Sequence, residues 1–232
     1  ITHSQLKHKN IIPFLGIYQE DAKSPPLTVV PYIQRGSLSD LLDKALHRLD
    51  SKTFQRILLG VSCGVDYLHS LCPCVIHGDL HPGNVLIGES GEPYLCDFGL
   101  SRIRHEVTRV NSMLGHRQGG NFRYMAPELC EAEGDRFRTS RESDIFSLGM
   151  TFLHICSGQK PFHSVGMLVV PGRVASGQRP TQPTFAVDVP ESKQADLWKL
   201  IQEMWGHDPA GRPPSTDIVK HLERMFPIAL NT

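Results

Sequence analysis

Apolar positions along this chain follow two rhythms, and their alternation marks out the elements. From about Ser51 to Ser70, Phe54, Ile57, Leu58, Val61, Val65 and Leu68 recur at intervals of three and four. That spacing lines one face of a helix and predicts that the face is buried. Ser37 opens a shorter helical stretch, GSLSDLLDKAL, with a hydroxyl suited to cap its first turn. The most apolar helix runs from Glu142-Ser143-Asp144 to about Cys156, and Gly177-Gln178-Arg179-Pro180 ends the helical region after it. Ala195 to Trp205 reads as an amphipathic helix, and Asp208 to Pro214 precedes the last one. Ile1 to Leu6 also has helical spacing. Short apolar runs bounded by turn residues predict strands at Pro13 to Tyr18, Leu27 to Val30, Val85 to Ile87 and Pro93 to Cys96. A turn at Glu89-Ser90-Gly91-Glu92 joins the last two as a hairpin, which would bring Asn84 and Asp97 close together.

Composition narrows the class. Of 232 residues, 40% are apolar, enough for a packed core in one large domain or two small ones. The 24 basic side chains balance 24 acidic ones, so no electrostatic footprint points to nucleic acid or an anionic membrane. No apolar run reaches bilayer length and no basic-then-apolar signal opens the chain, so a soluble, cytoplasmic protein is expected. Cys72-Pro73-Cys74 is the only close pair among Cys63, Cys72, Cys74, Cys96, Cys130 and Cys156, and no His or Cys set stands at zinc-finger spacing. Reduced structural thiols are expected.

The chemistry concentrates in HGDLHPGNVLI, His77 to Ile87, and in CDFG, Cys96 to Gly99. Asp79, Asn84 and Asp97 are three oxygen-bearing side chains on a loop and its two flanking strands. Transfer of a γ-phosphoryl group leaves a protein mainly to position an acceptor hydroxyl and to hold the Mg²⁺ that bridges the phosphates. Mg²⁺ is a hard cation that takes oxygen ligands, so an aspartate and an asparagine amide suit it. Asp79 is then expected to face the hydroxyl, with Asn84 and Asp97 facing the metal.

The ordered set His77-Gly78-Asp79-Leu80 with Asn84, Asp97-Phe98-Gly99 and Ala126-Pro127-Glu128 resembles the H-R-D-L-x-x-x-N, D-F-G and A-P-E series of eukaryotic protein kinases. The resemblance implies an α+β protein-kinase-like fold, mainly its helical large lobe with the last strands of the small one. Residues 1–33 would be the remnant of the small lobe and hinge, and 34–232 the large lobe, with a catalytic loop at 77–84 and an activation segment at 97–128. It also implies ATP and Mg²⁺ as cofactors and a protein as substrate. Val30 stands at the gatekeeper place, and Pro31 and Ile33 would meet adenine through backbone groups, Pro31 only through its carbonyl. Leu86 joins them in the nucleotide site. His77, Phe98, Gly99 and Asp144 are implied as structural supports, Asp144 by holding the catalytic-loop backbone. Arg212 matches the arginine that pairs with the A-P-E glutamate, here Glu128.

Departures from the family pattern carry their own implications. Gly78 replaces the H-R-D arginine, removing the usual partner of a phosphorylated activation loop. His81 stands where serine/threonine kinases carry a phosphate-contacting lysine, and Asn121 where they carry a threonine facing Asp79. The resemblance implies a serine or threonine hydroxyl as acceptor, and these two departures leave tyrosine open. Leu100 to Met125 has the length of an activation loop, with Ser101, Thr108 and Ser112 as candidate phosphosites. HKNIIPFLGIY resembles the segment leaving the family's αC helix, which places the αC glutamate, the Gly-rich loop and the β3 lysine upstream of Ile1. The chain carries no GxGxxG and no VAIK-like lysine, and by itself is expected to bind Mg-ATP weakly and turn over negligibly. A kinase-derived binding module is the alternative. HGDLHPGN is also similar to the loop of aminoglycoside- and choline-kinase-type phosphotransferases, but those lack the A-P-E segment, the SDIFSLG helix and the Arg212 partner.

Overall fold

The apolar residues that recur along Ser51–Ser70 are all fully buried, and the other elements pack around them. A computed structural model describes residues 3–21, 24–45, 49–97, 122–131, 138–187 and 189–227. In chain order these form β1 (Gly16–Tyr18), β2 (Leu27–Val29), α1 (Leu38–Ala45), α2 (Ser51–Ser70), β3 (Val85–Ile87) and β4 (Pro93–Leu95). They continue as α3 (Pro127–Cys130), α4 (Arg141–Ser157), α5 (Val170–Ala175), α6 (Glu191–Met204) and α7 (Ser215–Met225). Each strand pairs antiparallel with its sequence neighbour, β1 with β2 and β3 with β4, so the described strands form two separate hairpins.

Local chemistry sets the helix starts. Asp50 caps α2 by accepting from the Thr53 N–H and Oγ1, both at 2.8 Å. Ser37 Oγ accepts the Asp40 N–H at 3.1 Å while the Asp40 carboxylate accepts the Ser37 N–H at 3.0 Å, a reciprocal cap on α1. Ser140 and Ser143 exchange the same kind of bonds at the start of α4. α2 packs against α7 on one side and against β4 and α4 on others, and α4 packs against α6, so α2 and α4 form the centre of the core. In α4 nearly every position is buried, which is why it reads as the most apolar stretch.

Three elements depart from the periodicity. Ile1 to Leu6 yields only a 3₁₀ turn, His3–Gln5, because just Leu6 among the described residues there is buried and one apolar contact does not sustain a helix. The strand expected from Pro13 begins at Gly16; Pro13 has no N–H for a ladder, and the first bond to β2 is the Leu15 N–H to the Val29 carbonyl at 2.9 Å. α6 begins at Glu191, before Ala195, because its first turn faces solvent and leaves no apolar mark; Leu197, Leu200, Ile201 and Met204 carry the buried face.

The β1–β2 hairpin presents Leu15, Ile17, Tyr18, Leu27 and Val29 to solvent. The β3–β4 hairpin is buried and touches α2 through Gly60, where a Cβ would lie 2.5 Å from Pro93 Cγ and 2.8 Å from Asn10 Nδ2. Asn10 is itself fixed there, donating to the Pro93 carbonyl at 2.9 Å. Gly60→Ala should therefore destabilise the protein by about 1–3 kcal/mol, read as a lower urea midpoint. An unchanged midpoint would show that helix and strand separate freely.

Candidate active site

The site starts from a buried carboxylate. Asp144, in the first turn of α4, is 1% exposed. Its Oδ2 accepts the His77 N–H and its Oδ1 the Gly78 N–H, each at 2.8 Å. His69, at the end of α2, points Nε2 at Oδ2 from 2.9 Å. A carboxylate taken out of water needs donors of this kind. The chain reaches them by turning through Gly78 at φ +77°, a left-handed conformation that costs glycine little. Two residues on, the Asp79 N–H lies 3.3 Å from His77 Nδ1, and burial of the His77 ring lowers its pKa, in keeping with a neutral acceptor nitrogen.

Asp79, His81 and Asn84 come together on this loop. Asn84 Nδ2 donates to the Asp79 carbonyl at 2.8 Å and to its Oδ2 at 3.3 Å. His81 Nδ1 accepts the Gly83 N–H at 3.0 Å, which leaves Nε2 facing Asp79 Oδ2 at 3.7 Å. Partial burial pushes the Asp79 carboxyl upward, but His81, the nearby His77 and the Asn84 amide outweigh it and hold its pKa below the ordinary carboxylate value. Asp79 is thus ionised at neutral pH, with its side chain still 54% exposed to a reactant.

The β3–β4 register carries Asp97 to the same place. Val85 pairs with Leu95, and the Cys96 N–H donates to the Asn84 carbonyl at 3.0 Å, so Asp97 lies one residue beyond Asn84's partner. Asp97 is exposed and sits at φ +57°, a conformation aspartate tolerates better than most residues. With Nδ2 of Asn84 committed to Asp79, its amide oxygen remains for a cation, and Asp97 adds a carboxylate. Two hard oxygen donors, completed by water and phosphate, fit Mg²⁺. No cluster of three or more His, Cys, Asp or Glu suited to a metal occurs among the described residues.

Val30, Pro31 and Ile33 follow β2, with Val30 and Ile33 packed on the core. The Gly36 N–H bonds the Ile33 carbonyl at 3.1 Å and the Ile87 N–H bonds the Gly36 carbonyl at 3.0 Å. This lacing brings the segment beside β3, where Leu86 forms a bridge with Ser37. Phe98, Gly99, Ser101, Thr108, Ser112 and Asn121 lie outside the described residues.

Farther from the loop, Arg212 and Glu128 form a bidentate pair, Nη1 to Oε1 and Nη2 to Oε2, both 2.8 Å. Arg212 also donates to the Glu142 carbonyl at 2.8 Å and the Gly206 carbonyl at 2.9 Å, with its side chain wholly buried. Sequence reasoning had not singled out His69, although Val65 and His69 are four apart on the buried stripe of α2, where a buried imidazole needs a partner. It also passed over Tyr124, whose hydroxyl lies 2.8 Å from His154 Nδ1 and whose carbonyl accepts Ser147 Oγ at 2.8 Å. The six cysteines are free; burial pushes the Cys96 and Cys130 thiols up to about 12, so they are protonated and inert.

The chain belongs to the protein kinase domain family, whose match covers residues 1–222, and its α+β architecture is that of a protein kinase domain. Serine/threonine-protein kinase VIK of Arabidopsis thaliana is 31% identical to it, over 95% of this chain and 48% of that protein. Receptor-interacting serine/threonine-protein kinase 3 of Rattus norvegicus is 31% identical, over 95% of this chain and 46% of its own length. Serine/threonine-protein kinase TNNI3K of Mus musculus is 30% identical, over 96% and 25% respectively. The chain spans less than half the length of these relatives. The family normally uses ATP and Mg²⁺. No helix among the described residues is long and apolar enough to cross a membrane.

Two outcomes follow from these contacts. Arg212→Ala leaves Glu128 without its guanidinium and strips the Glu142 and Gly206 carbonyls of a donor, and should cost about 3–5 kcal/mol in denaturant unfolding; a loss within error of zero would show that the pair is replaceable by water. His154 is pushed down to about 4 by burial, below an ordinary histidine in the unfolded chain. Between about pH 6.5 and 4 the unfolded state binds the extra proton, so stability should fall as pH drops through that window. His154→Asn keeps an acceptor for Tyr124 and should flatten the slope of Tm against pH there; an identical slope would assign it to other groups.

Proposed function

We propose that this domain transfers the γ-phosphoryl group of ATP to a serine or threonine hydroxyl of a protein. The observation that carries this reading is an ionised, half-exposed Asp79 braced by Asn84, on a loop whose backbone is tied to buried Asp144. Residues 34–232 form the helical lobe in this reading, and residues 1–33 belong to the smaller lobe and the hinge. Val30, Pro31, Ile33 and Leu86 line the adenine side.

Asp79 accepts a hydrogen bond from the substrate hydroxyl and aims the hydroxyl oxygen at the γ-phosphorus, taking the proton as the new O–P bond forms and the bond to the β-phosphate oxygen breaks, with ADP as the leaving group. Asn84 acts twice, orienting Asp79 through its amide nitrogen and offering its amide oxygen to Mg²⁺ beside Asp97. The bound cation would neutralise charge on the phosphate oxygens. His81 occupies the position from which a donor can reach a transferring phosphate, and its Nε2 already faces Asp79. The serine/threonine kinases among the relatives support phosphoryl transfer to the hydroxyls of those residues.

The test is Asp79→Asn in the protein that contains this domain. Phosphorylation of a protein substrate should fall by about 100-fold to 10,000-fold, while the melting temperature stays close to wild type. Wild-type turnover in a folded Asp79→Asn protein would overturn the assignment.

A further inference from the structure

A cavity of about 710 Å³ opens between the loop that follows α4 and the segment 178–186, and none of Asp79, His81, Asn84 or Asp97 lines it. Lys160, His163, Arg173 and Arg179 all do, and no described residue of its lining is a carboxylate. Its remaining polar groups are hydroxyls and amides, interleaved with Phe162, Val165 and Phe185.

Arg179 adds to this charge, and no described carboxylate hydrogen-bonds it. Its Nε donates to the Trp205 carbonyl at 2.9 Å and its Nη1 to the Val174 and Gln178 carbonyls at 3.0 and 2.8 Å, all neutral acceptors. Its Nη2 is buried with no acceptor among the described residues. Burial and the neighbouring Arg212 lower its pKa, and the more distant Glu128 offsets them only in part. Arg179 therefore adds positive charge behind the wall of the cavity, while Lys160 and Arg173 stand exposed at its surface.

The walls are fixed in advance. Arg123 Nη1 bonds the Pro161 and Phe162 carbonyls and its Nη2 the Val165 carbonyl at 2.8 Å, clamping the loop 161–165. The Ala186 N–H bonds the Cys156 carbonyl at 2.8 Å and holds the opposite side. Pre-organisation of this kind lowers the ordering cost of a ligand. The chain as a whole carries 24 basic and 24 acidic residues, so no net positive charge draws a long polyanion, and a short anionic segment suits the cavity better.

We propose that this cavity docks an acidic or phosphorylated segment of a partner polypeptide. Lys160 and Arg173 meet its carboxylate or phosphate oxygens, with the charge of Arg179 behind them, the bidentate geometry of arginine favouring such groups. Phe162, Val165 and Phe185 take up its neighbouring apolar side chains. Recognition of acidic motifs by clustered arginines is a general mode of peptide binding.

The test is fluorescence anisotropy with a short labelled peptide that alternates glutamate and alanine around one phosphoserine. It is compared in wild-type protein and in a Lys160→Glu, Arg173→Glu double variant. Both positions are exposed, so circular dichroism should show an unchanged fold. Saturable binding that the double variant weakens by about tenfold or more, and that added salt weakens further, supports the site. A matched peptide with serine in place of phosphoserine separates the sources of charge: equal binding assigns the carboxylates, weaker binding the phosphate. The proposal is overturned by equal affinity in the variant or by no saturable binding to wild type. It is overturned as well if only inorganic phosphate, a labelled oligoribonucleotide or anionic vesicles bind.

Discussion

One buried carboxylate carries the geometry of this domain. Asp144 sits where water cannot solvate it, and its donors are two consecutive backbone N–H groups of the loop that presents Asp79, together with His69. Displacing the loop would leave a charge stranded in the core, a loss of the order of 3–5 kcal/mol. The position of Asp144 depends in turn on where α4 begins, which the reciprocal Ser140–Ser143 cap determines. A polar exchange at a helix end thus fixes the chain on which Asp79 stands.

Because Asp144 grips the backbone, the loop tolerates changes in its side chains. Gly78 occupies a position where many kinases carry arginine, yet its N–H still reaches Asp144, and φ +77° is a conformation glycine adopts without the strain an arginine would meet. His81 likewise differs from the family lysine while remaining beside Asp79. The anchor and the reactive groups are held by separate bonds, so the family's pattern can vary between them.

A second centre of order lies at Phe146, one turn into α4. The guanidinium carbons of Arg179 and Arg212 lie 5.0 and 5.1 Å from its ring centroid, so one aromatic ring serves two cations. Arg212 hydrogen-bonds a carboxylate, Glu128, whereas the hydrogen bonds of Arg179 among the described residues go to carbonyls. The asymmetry joins the core of the helical lobe to the basic cavity at its surface. It also makes two arginines that look alike in sequence physically different.

Much of this was legible from the chain alone. The stripe of α2 and the apolar run of α4 specified buried helices because a period of three and four leaves one face without polar groups. The pairing of β3 with β4 followed from two short apolar runs and a glycine turn, and with it the approach of Asn84 to Asp97. Residue type and order in HGDLHPGN and CDFG pointed to the protein kinase family, to which the match over residues 1–222 assigns the chain. What periodicity could not supply were contacts made across long separations. His69 on Asp144, Ser147 on the Tyr124 carbonyl and Arg123 on the loop 161–165 join residues 75, 23 and up to 42 positions apart. Nor could it show that the apolar residues of β1 and β2 face solvent while those of β3 and β4 are buried, because a strand's own pattern does not say what packs against it. Local chemistry is written in neighbouring residues; the partners of a buried charge are chosen only when helices meet.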